Sequence, residues 1–289
     1  MSLWSASNVK ASACPRRGIR ERAGLSGVSW EGFRVGSYVH DALNQLAVGQ
    51  GVTPPHEAGL SVVESVEATR LMENAEEMGL PACYPEGATF EQSYVMQILG
   101  GGEEFASTKP RPAPAWAIRG PRWSPARAGG KTLFRFQPDV WYSDPEDPGT
   151  VCVDDYKTAL GMLSDSAVSR ETQVVLYAAA IALLTGAESV RFTLWNLRWK
   201  QGQQVEKSRG EWLQEAQRIW SACFFEDQKG AGALEADPRP ASERCGTCQF
   251  FGSAENGCWP AAPNDDGFVE DDLSAEALLV SSRWHRAMA

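Results

Sequence analysis

The stretch Leu133-Phe134-Arg135-Phe136-Gln137-Pro138-Asp139-Val140-Trp141, followed by Thr150-Val151-Cys152-Val153-Asp154-Asp155-Tyr156-Lys157, decides the fold. Both runs are rich in β-branched and aromatic residues, and Ser143-Asp144-Pro145-Glu146-Asp147-Pro148-Gly149 between them is a dense turn signal. The pattern predicts two antiparallel strands, 133–141 and 150–156, joined by a long turn. Side chains alternate along a strand. Val151, Val153, Asp155 and Lys157 therefore share one face, and Cys152, Asp154 and Tyr156 the other. Of the two adjacent aspartates only Asp155 sits with Lys157, so Asp155 is the functional candidate and Asp154 is peripheral.

Outward from this pair, residues 168–184 read as a helix, with Val174, Val175, Ala178, Ile181 and Ala182 at helical spacing. Gln173 and Tyr177 are four apart and share a helical face. A further strand is expected at 188–196. Upstream, 33–48 reads as a helix with the apolar stripe Val35, Val39, Ala42, Leu43 and Leu46; His40 lies beside the stripe and Gly36 one turn before it. Residues 89–99 read as a strand, with Glu91 taken as a solvated side chain that could supply an extra carboxylate. The alternation of strands and helices predicts an α/β fold, a mixed central sheet flanked by helices, as one domain over 1–289. The Gly- and Pro-rich stretch 100–131 is read as a long loop inside that domain, because the pieces of the candidate site lie on both sides of it.

Asp139 precedes Asp155 by sixteen residues, at hairpin spacing. An Asp followed by Asp-x-Lys on the neighbouring strand is a known way to build metal-dependent phosphodiester hydrolysis. Two carboxylates hold a divalent cation, and the lysine stands beside the attacked phosphate. Hard oxygen ligands favour Mg²⁺ or Mn²⁺, and an imidazole such as His40 suits Mn²⁺ if its helix crosses the carboxylates. A bare Asp-x-Lys is common in sequences; the added Pro138-Asp139 is what gives it weight.

The chain has seven cysteines and no membrane-length apolar run. An odd count fits a disulfide framework poorly and points to a reduced, cytoplasmic setting. Cys245, Cys248 and Cys258 cluster in a Gly-rich tail, and Cys14 is the candidate fourth ligand, clasping segments 14–22 and 240–262 together. Four thiolates suit Zn²⁺ or a 4Fe–4S cluster, and spacing does not choose. Cys83, Cys152 and Cys223 read as core thiols. The net charge of −10 opposes casual binding of nucleic acid. Between 105 and 131, however, there are six basic residues and no acidic one, with Trp116 and Trp123 interleaved. Cations with aromatics are what a single strand needs for backbone tracking and base stacking.

Taken in order, Ser5-x-Ser7 with Cys14-Pro15-Arg16-Arg17, Gly36-x3-His40, Pro138-Asp139, Asp155-Tyr156-Lys157-Thr158, Gln173-x3-Tyr177 and the three late cysteines resemble the RecB-type PD-(D/E)xK nucleases. The resemblance is to their iron–sulfur branch, which includes AddB-like helicase-nuclease subunits and CRISPR-adaptation exonucleases. It implies a restriction-endonuclease-like core and a Mg²⁺- or Mn²⁺-dependent DNA exonuclease acting on single strands or DNA ends. It also implies His40, Asp139, Asp155 and the Tyr156 carbonyl as metal ligands, and Lys157 as catalytic with Gln173 and Tyr177 in support. Cys14, Cys245, Cys248 and Cys258 would hold a 4Fe–4S cluster, and recombination or CRISPR-adaptation proteins would be partners. The alternative is a non-catalytic iron–sulfur DNA-binding subunit of such a complex. The chain departs from the family in a longer final cysteine gap and in Asn44, where many relatives carry a glutamate.

Overall fold

Two antiparallel runs of chain, 89–98 and 132–143, form a ladder that breaks on both strands at the same level. In the computed structural model, which describes residues 3–6, 9, 31–100, 107–114, 131–159 and 161–229, this double break divides the strands between two sheets. The elements in chain order are β1 (Leu3–Trp4), α1 (Glu31–Ala47), α2 (Val62–Glu77), β2 (Thr89–Phe90), β3 (Tyr94–Ile98), β4 (Arg111–Pro112), β5 (Thr132–Phe136), β6 (Val140–Ser143) and β7 (Thr150–Lys157). They continue with α3 (Asp165–Val168), α4 (Thr172–Thr185), β8 (Ser189–Asn196), β9 (Gln201–Ser208) and α5 (Arg209–Lys229). One sheet has the order β1-β5-β3-β4 and the other β2-β6-β7-β8-β9. Both are mixed, since β1 runs parallel to β5 and β7 parallel to β8 while their other neighbours are antiparallel.

The single strand expected at 133–141 is thus two, β5 and β6, separated by Gln137-Pro138-Asp139. Pro138 has no N–H to give to a ladder. Its ring also holds the preceding residue extended, so the chain leaves one sheet and enters the next over three residues. The strand expected at 89–99 divides likewise into β2 and β3. There Glu91 adopts φ +47, the left-handed region that a residue with a Cβ seldom enters. Across the break Glu91 N–H donates to the Asp139 carbonyl at 2.9 Å.

The β6–β7 pair is the antiparallel hairpin the sequence predicts, with Val140 opposite Asp154 and Trp141 opposite Val153. Alternation along β7 sorts its side chains as expected. Val151 and Val153 enter a core with Phe192, Ile181, Trp212 and Trp220, beneath α4 and α5. Tyr156 enters a second core on the opposite face with Val39, Leu43, Leu71 and Val140, beneath α1 and α2. Helices therefore cover both faces of the five-stranded sheet, a mixed α/β architecture. α4 is apolar nearly all round, as a helix buried on most sides must be, and ends at Gly186 in the left-handed conformation at φ +83.

Several local readings change. The helix expected over 168–184 is a short turn, α3, followed by α4. Leu46 is not part of the buried stripe of α1 but is 44% exposed. Cys83 is exposed rather than a core thiol, whereas Cys152 and Cys223 are buried as expected. No helix among the described residues is long and apolar enough to cross a membrane. Cys14, Cys245, Cys248 and Cys258, and most of the stretch 100–131, lie outside the described residues.

Phe192 lies on β8 in the larger core and is fully buried. Phe192→Ala is expected to lower unfolding free energy by about 3–5 kcal/mol, read as a reduced urea midpoint with unchanged slope.

Candidate metal centre

Five segments deliver the side chains of the site: α1, the two sides of the sheet break, β7 and α4. α1 packs Val35, Val39 and Leu43 into the smaller core, which leaves His40 on the flank of the helix, half-buried at the edge of the sheet. The approach is close one turn earlier. A Cβ on Gly36 would lie 3.0 Å from Thr158 Oγ1 just beyond β7, so glycine there lets α1 settle against the end of the strand. The His40 ring meets the Tyr156 ring edge-on, with centroids 5.8 Å apart.

Asp139 sits at the exit of the sheet break and is buried. Its Oδ2 accepts the Tyr156 backbone N–H at 2.6 Å, and its Oδ1 lies 3.2 Å from His40 Nδ1. Glu91 comes from the opposite side of the break, with Oε1 3.8 Å from His40 Nδ1. One donor atom each from His40, Glu91 and Asp139 falls within a 4.8 Å sphere of mutual distances. An imidazole and two carboxylates at such spacing form a donor set for Mn²⁺ or Mg²⁺.

Electrostatics agree with that use. Burial pushes the Asp139 carboxyl up, His40 pulls it back, and the neighbouring Asp155 and Glu91 carboxylates push it up again. Burial works against a charged His40, but Asp139 and Glu91, with Asp155 behind them, outweigh it and hold the imidazole well above its ordinary value. Neighbouring carboxylates that raise the affinity of Asp139 for a proton also favour a divalent cation there, which would displace the proton on His40.

Beside this triad, Asp155, Lys157 and Gln173 form a closed triangle. Gln173 on α4 donates from Nε2 to Asp155 Oδ1 at 2.6 Å and accepts from Lys157 Nζ at 3.0 Å. Lys157 Nζ also pairs with Asp155 Oδ2. Burial alone would discharge Lys157, yet Asp155 first and then Asp139 hold its ammonium above the usual range. Tyr177, one turn after Gln173, is buried with its ring 6.1 Å from that of Phe136, and its hydroxyl meets the Gln137 backbone. It braces the sheet break, close enough to Asp155 and Asp139 to feel their charge. Asp154 points the other way, as alternation requires. It is buried there with its carboxyl pushed up to about 6 by burial, against polar contacts from Trp195, Tyr84 and Thr193.

The structure thus brings together His40 and Asp139, with Asp155, Lys157 and Gln173 alongside, and places the Tyr156 backbone on Asp139. Glu91 overturns its reading as a solvated strand residue: only 21% of its side chain is exposed and it faces His40. A left-handed glutamate carries no sequence signal.

No family model matches the chain, and no curated protein matches it. Among solved structures, the crystal structure of SSO0001 is similar at 15% identity, covering 86% of this chain and 84% of that one, with a TM-score of 0.36. A likeness of that size carries no argument about activity.

Saturating Mn²⁺ is expected to raise the melting temperature by about 5 °C or more, from its binding to the folded state alone. The gain should be largest above neutral pH and shrink as pH falls through neutral, because His40, held above its ordinary value, and Asp139 take up competing protons, and it should vanish in Asp139→Asn. Scanning fluorimetry with and without EDTA reads both effects.

Proposed function

We propose that this chain is a Mg²⁺- or Mn²⁺-dependent deoxyribonuclease, an exonuclease on single strands or DNA ends, of the RecB-type PD-(D/E)xK group. The observation that carries the reading is the adjacency of two clusters. His40, Glu91 and Asp139 can hold a cation, and Lys157, fixed by Asp155 and Gln173, lies next to them.

A divalent ion bound by His40, Glu91 and Asp139, with Asp155 and the Tyr156 carbonyl proposed as further ligands, would supply Lewis acidity, neutralising the phosphate and acidifying water. The chain's own residues do the rest. The Lys157 ammonium, kept charged by Asp155 and Asp139, stabilises the negative charge that grows on the phosphoryl oxygens as water adds to phosphorus and the ester P–O bond breaks. Gln173 holds both partners of the Lys157–Asp155 pair in one geometry, so little reorganisation is needed at the moment of reaction. Water supplies both the hydroxyl added to phosphorus and the proton taken by the departing oxygen.

Three further parts belong to the proposal. Cys14, Cys245, Cys248 and Cys258 hold a 4Fe–4S cluster that clasps the two ends of the chain. The basic and aromatic stretch 105–131 tracks single-stranded DNA. The protein works in the cytoplasm with recombination or CRISPR-adaptation partners.

End-labelled single- and double-stranded DNA incubated with Mn²⁺ or Mg²⁺ tests the reading. Wild type should cleave in a metal-dependent way, and Lys157→Ala should lose about 10²–10⁴-fold of that rate while melting normally. Equal rates in the two proteins would remove Lys157 from the chemistry. No cleavage by folded, metal-loaded wild type would leave a non-catalytic DNA-binding subunit.

A further inference from the structure

Gln137 is the residue of the sheet break that the proposed chemistry does not use. It lies between Phe136, the last residue of β5, and Pro138, and is held extended by the proline that follows it. Its backbone meets the Tyr177 hydroxyl. The side chain reaches across the break. Ser93 Oγ donates to Gln137 Oε1 at 2.5 Å, and Gln137 Nε2 donates to Glu91 Oε2. Ser93 is itself buried, with its carbonyl accepting Ala113 N–H at 2.9 Å.

An amide has one accepting end and one donating end. The Glu91 carboxylate only accepts, so the NH₂ must face it; the amide oxygen is thereby turned to the Ser93 hydroxyl, which anchors the far end, and a flip would set the amide oxygen against the carboxylate. The donated hydrogen bond occupies Glu91 Oε2. The other oxygen, Oε1, is left turned toward His40 Nδ1 at 3.8 Å. The Glu91 backbone is fixed independently, by its N–H on the Asp139 carbonyl and by its left-handed φ. A left-handed residue whose N–H and side chain are both bonded across the break is over-determined by its surroundings, which is where functional geometry is stored.

We propose that Gln137 is a positioning residue for the metal centre: anchored by Ser93, it fixes Glu91 so that a single carboxylate oxygen is presented to the cation. The inference rests on the proposed metal centre, but not on nuclease activity. It gives the Gln137-Pro138-Asp139 triplet three distinct jobs. Asp139 ligates, Pro138 ends the ladder, and Gln137 reaches back over the break to orient the carboxylate that arrives from the other strand. It also carries a selectivity. Mg²⁺ demands near-ideal octahedral geometry, whereas other divalent ions tolerate looser arrangements. A Glu91 left free to swing should therefore harm Mg²⁺ binding more than Mn²⁺ binding.

The test is a double-mutant cycle on cation affinity, measured by calorimetry without DNA, using Gln137→Leu, Glu91→Gln and the pair. Partners that orient metal ligands typically alter affinity about 10–100-fold. Gln137→Leu is expected to weaken Mn²⁺ about tenfold and Mg²⁺ by more. In the Glu91→Gln background the same change should add nothing, because Gln137 acts only through Glu91. Independent, additive losses would overturn the proposal, as would unchanged affinity or equal losses for the two ions. Ser93→Ala supplies a second arm, since it removes the anchoring hydroxyl without touching Gln137 and should reproduce a smaller Mg²⁺-weighted loss. Absence of any Mn²⁺ binding to wild type would overturn the metal centre and this inference together. Binding and coupling without DNA cleavage would overturn only the nuclease reading.

Discussion

The buried carboxyl group of Asp139 is the point on which the site and much of the fold converge. One oxygen accepts the Tyr156 N–H and the other meets His40. The residue's own carbonyl accepts Glu91 N–H. Three segments distant in sequence are therefore held within hydrogen-bond reach of one residue. A buried carboxylate without such partners would be lost to protonation or would weaken the fold by several kcal/mol. Here the partners that make burial tolerable are the same groups that build the site. The interaction also explains why both strands break together. Pro138 ends the ladder on one side, the left-handed Glu91 ends it on the other, and the gap between the two sheets is occupied by the polar side chains.

β7 does two unrelated jobs on its two faces. On one, Val151 and Val153 anchor the strand in the larger core. Farther along the same face, Asp155 and Lys157 meet Gln173. On the other, Tyr156 fills the smaller core and touches Tyr84 through its hydroxyl at 3.1 Å, with Asp154 buried nearby. The strand is central, with β6 on one side and β8 on the other, so neither face can shift without disturbing a core. The geometry of side chains carried on such an element is held more firmly than geometry built on a loop.

What could be read from the chain follows physical lines. The hairpin, the face of Asp155 with Lys157, and the shared helical face of Gln173 and Tyr177 came from alternation and helical spacing, both of which are local; that Gln173 meets Asp155 and Lys157 depends on how α4 packs and was not legible. The approach of α1 was legible only as a possibility, from Gly36 and His40 one turn apart, because no local pattern says what a helix packs against. Glu91 and Gln137 were not legible in their roles. Their meaning depends on a register between strands more than forty residues apart and on a positive φ in a residue that rarely adopts one. Cys83 failed for a simpler reason. It lies in the run 80–88 between α2 and β2, where apolar composition reflects the covering of a surface and not a strand or helix facing the core.

The parts of the site differ sharply in how far apart they lie along the chain. Gln173 reaches Asp155 over 18 residues and Gln137 reaches Glu91 over 46, while His40 meets Asp139 over 99. Loop-closure entropy disfavours the longest of these relative to the shortest by about 1.5 kcal/mol. The stretch from β6 through α5 is continuous and self-pairing, so the lysine side of the site can form early within it. The histidine side waits for α1 to dock. Sequence separation alone therefore sets closure of the proposed cation site after the lysine side. Under the proposed reading, a chain caught before that step would hold Lys157 against Asp155 and Gln173 while the cation-binding side of the site was still open.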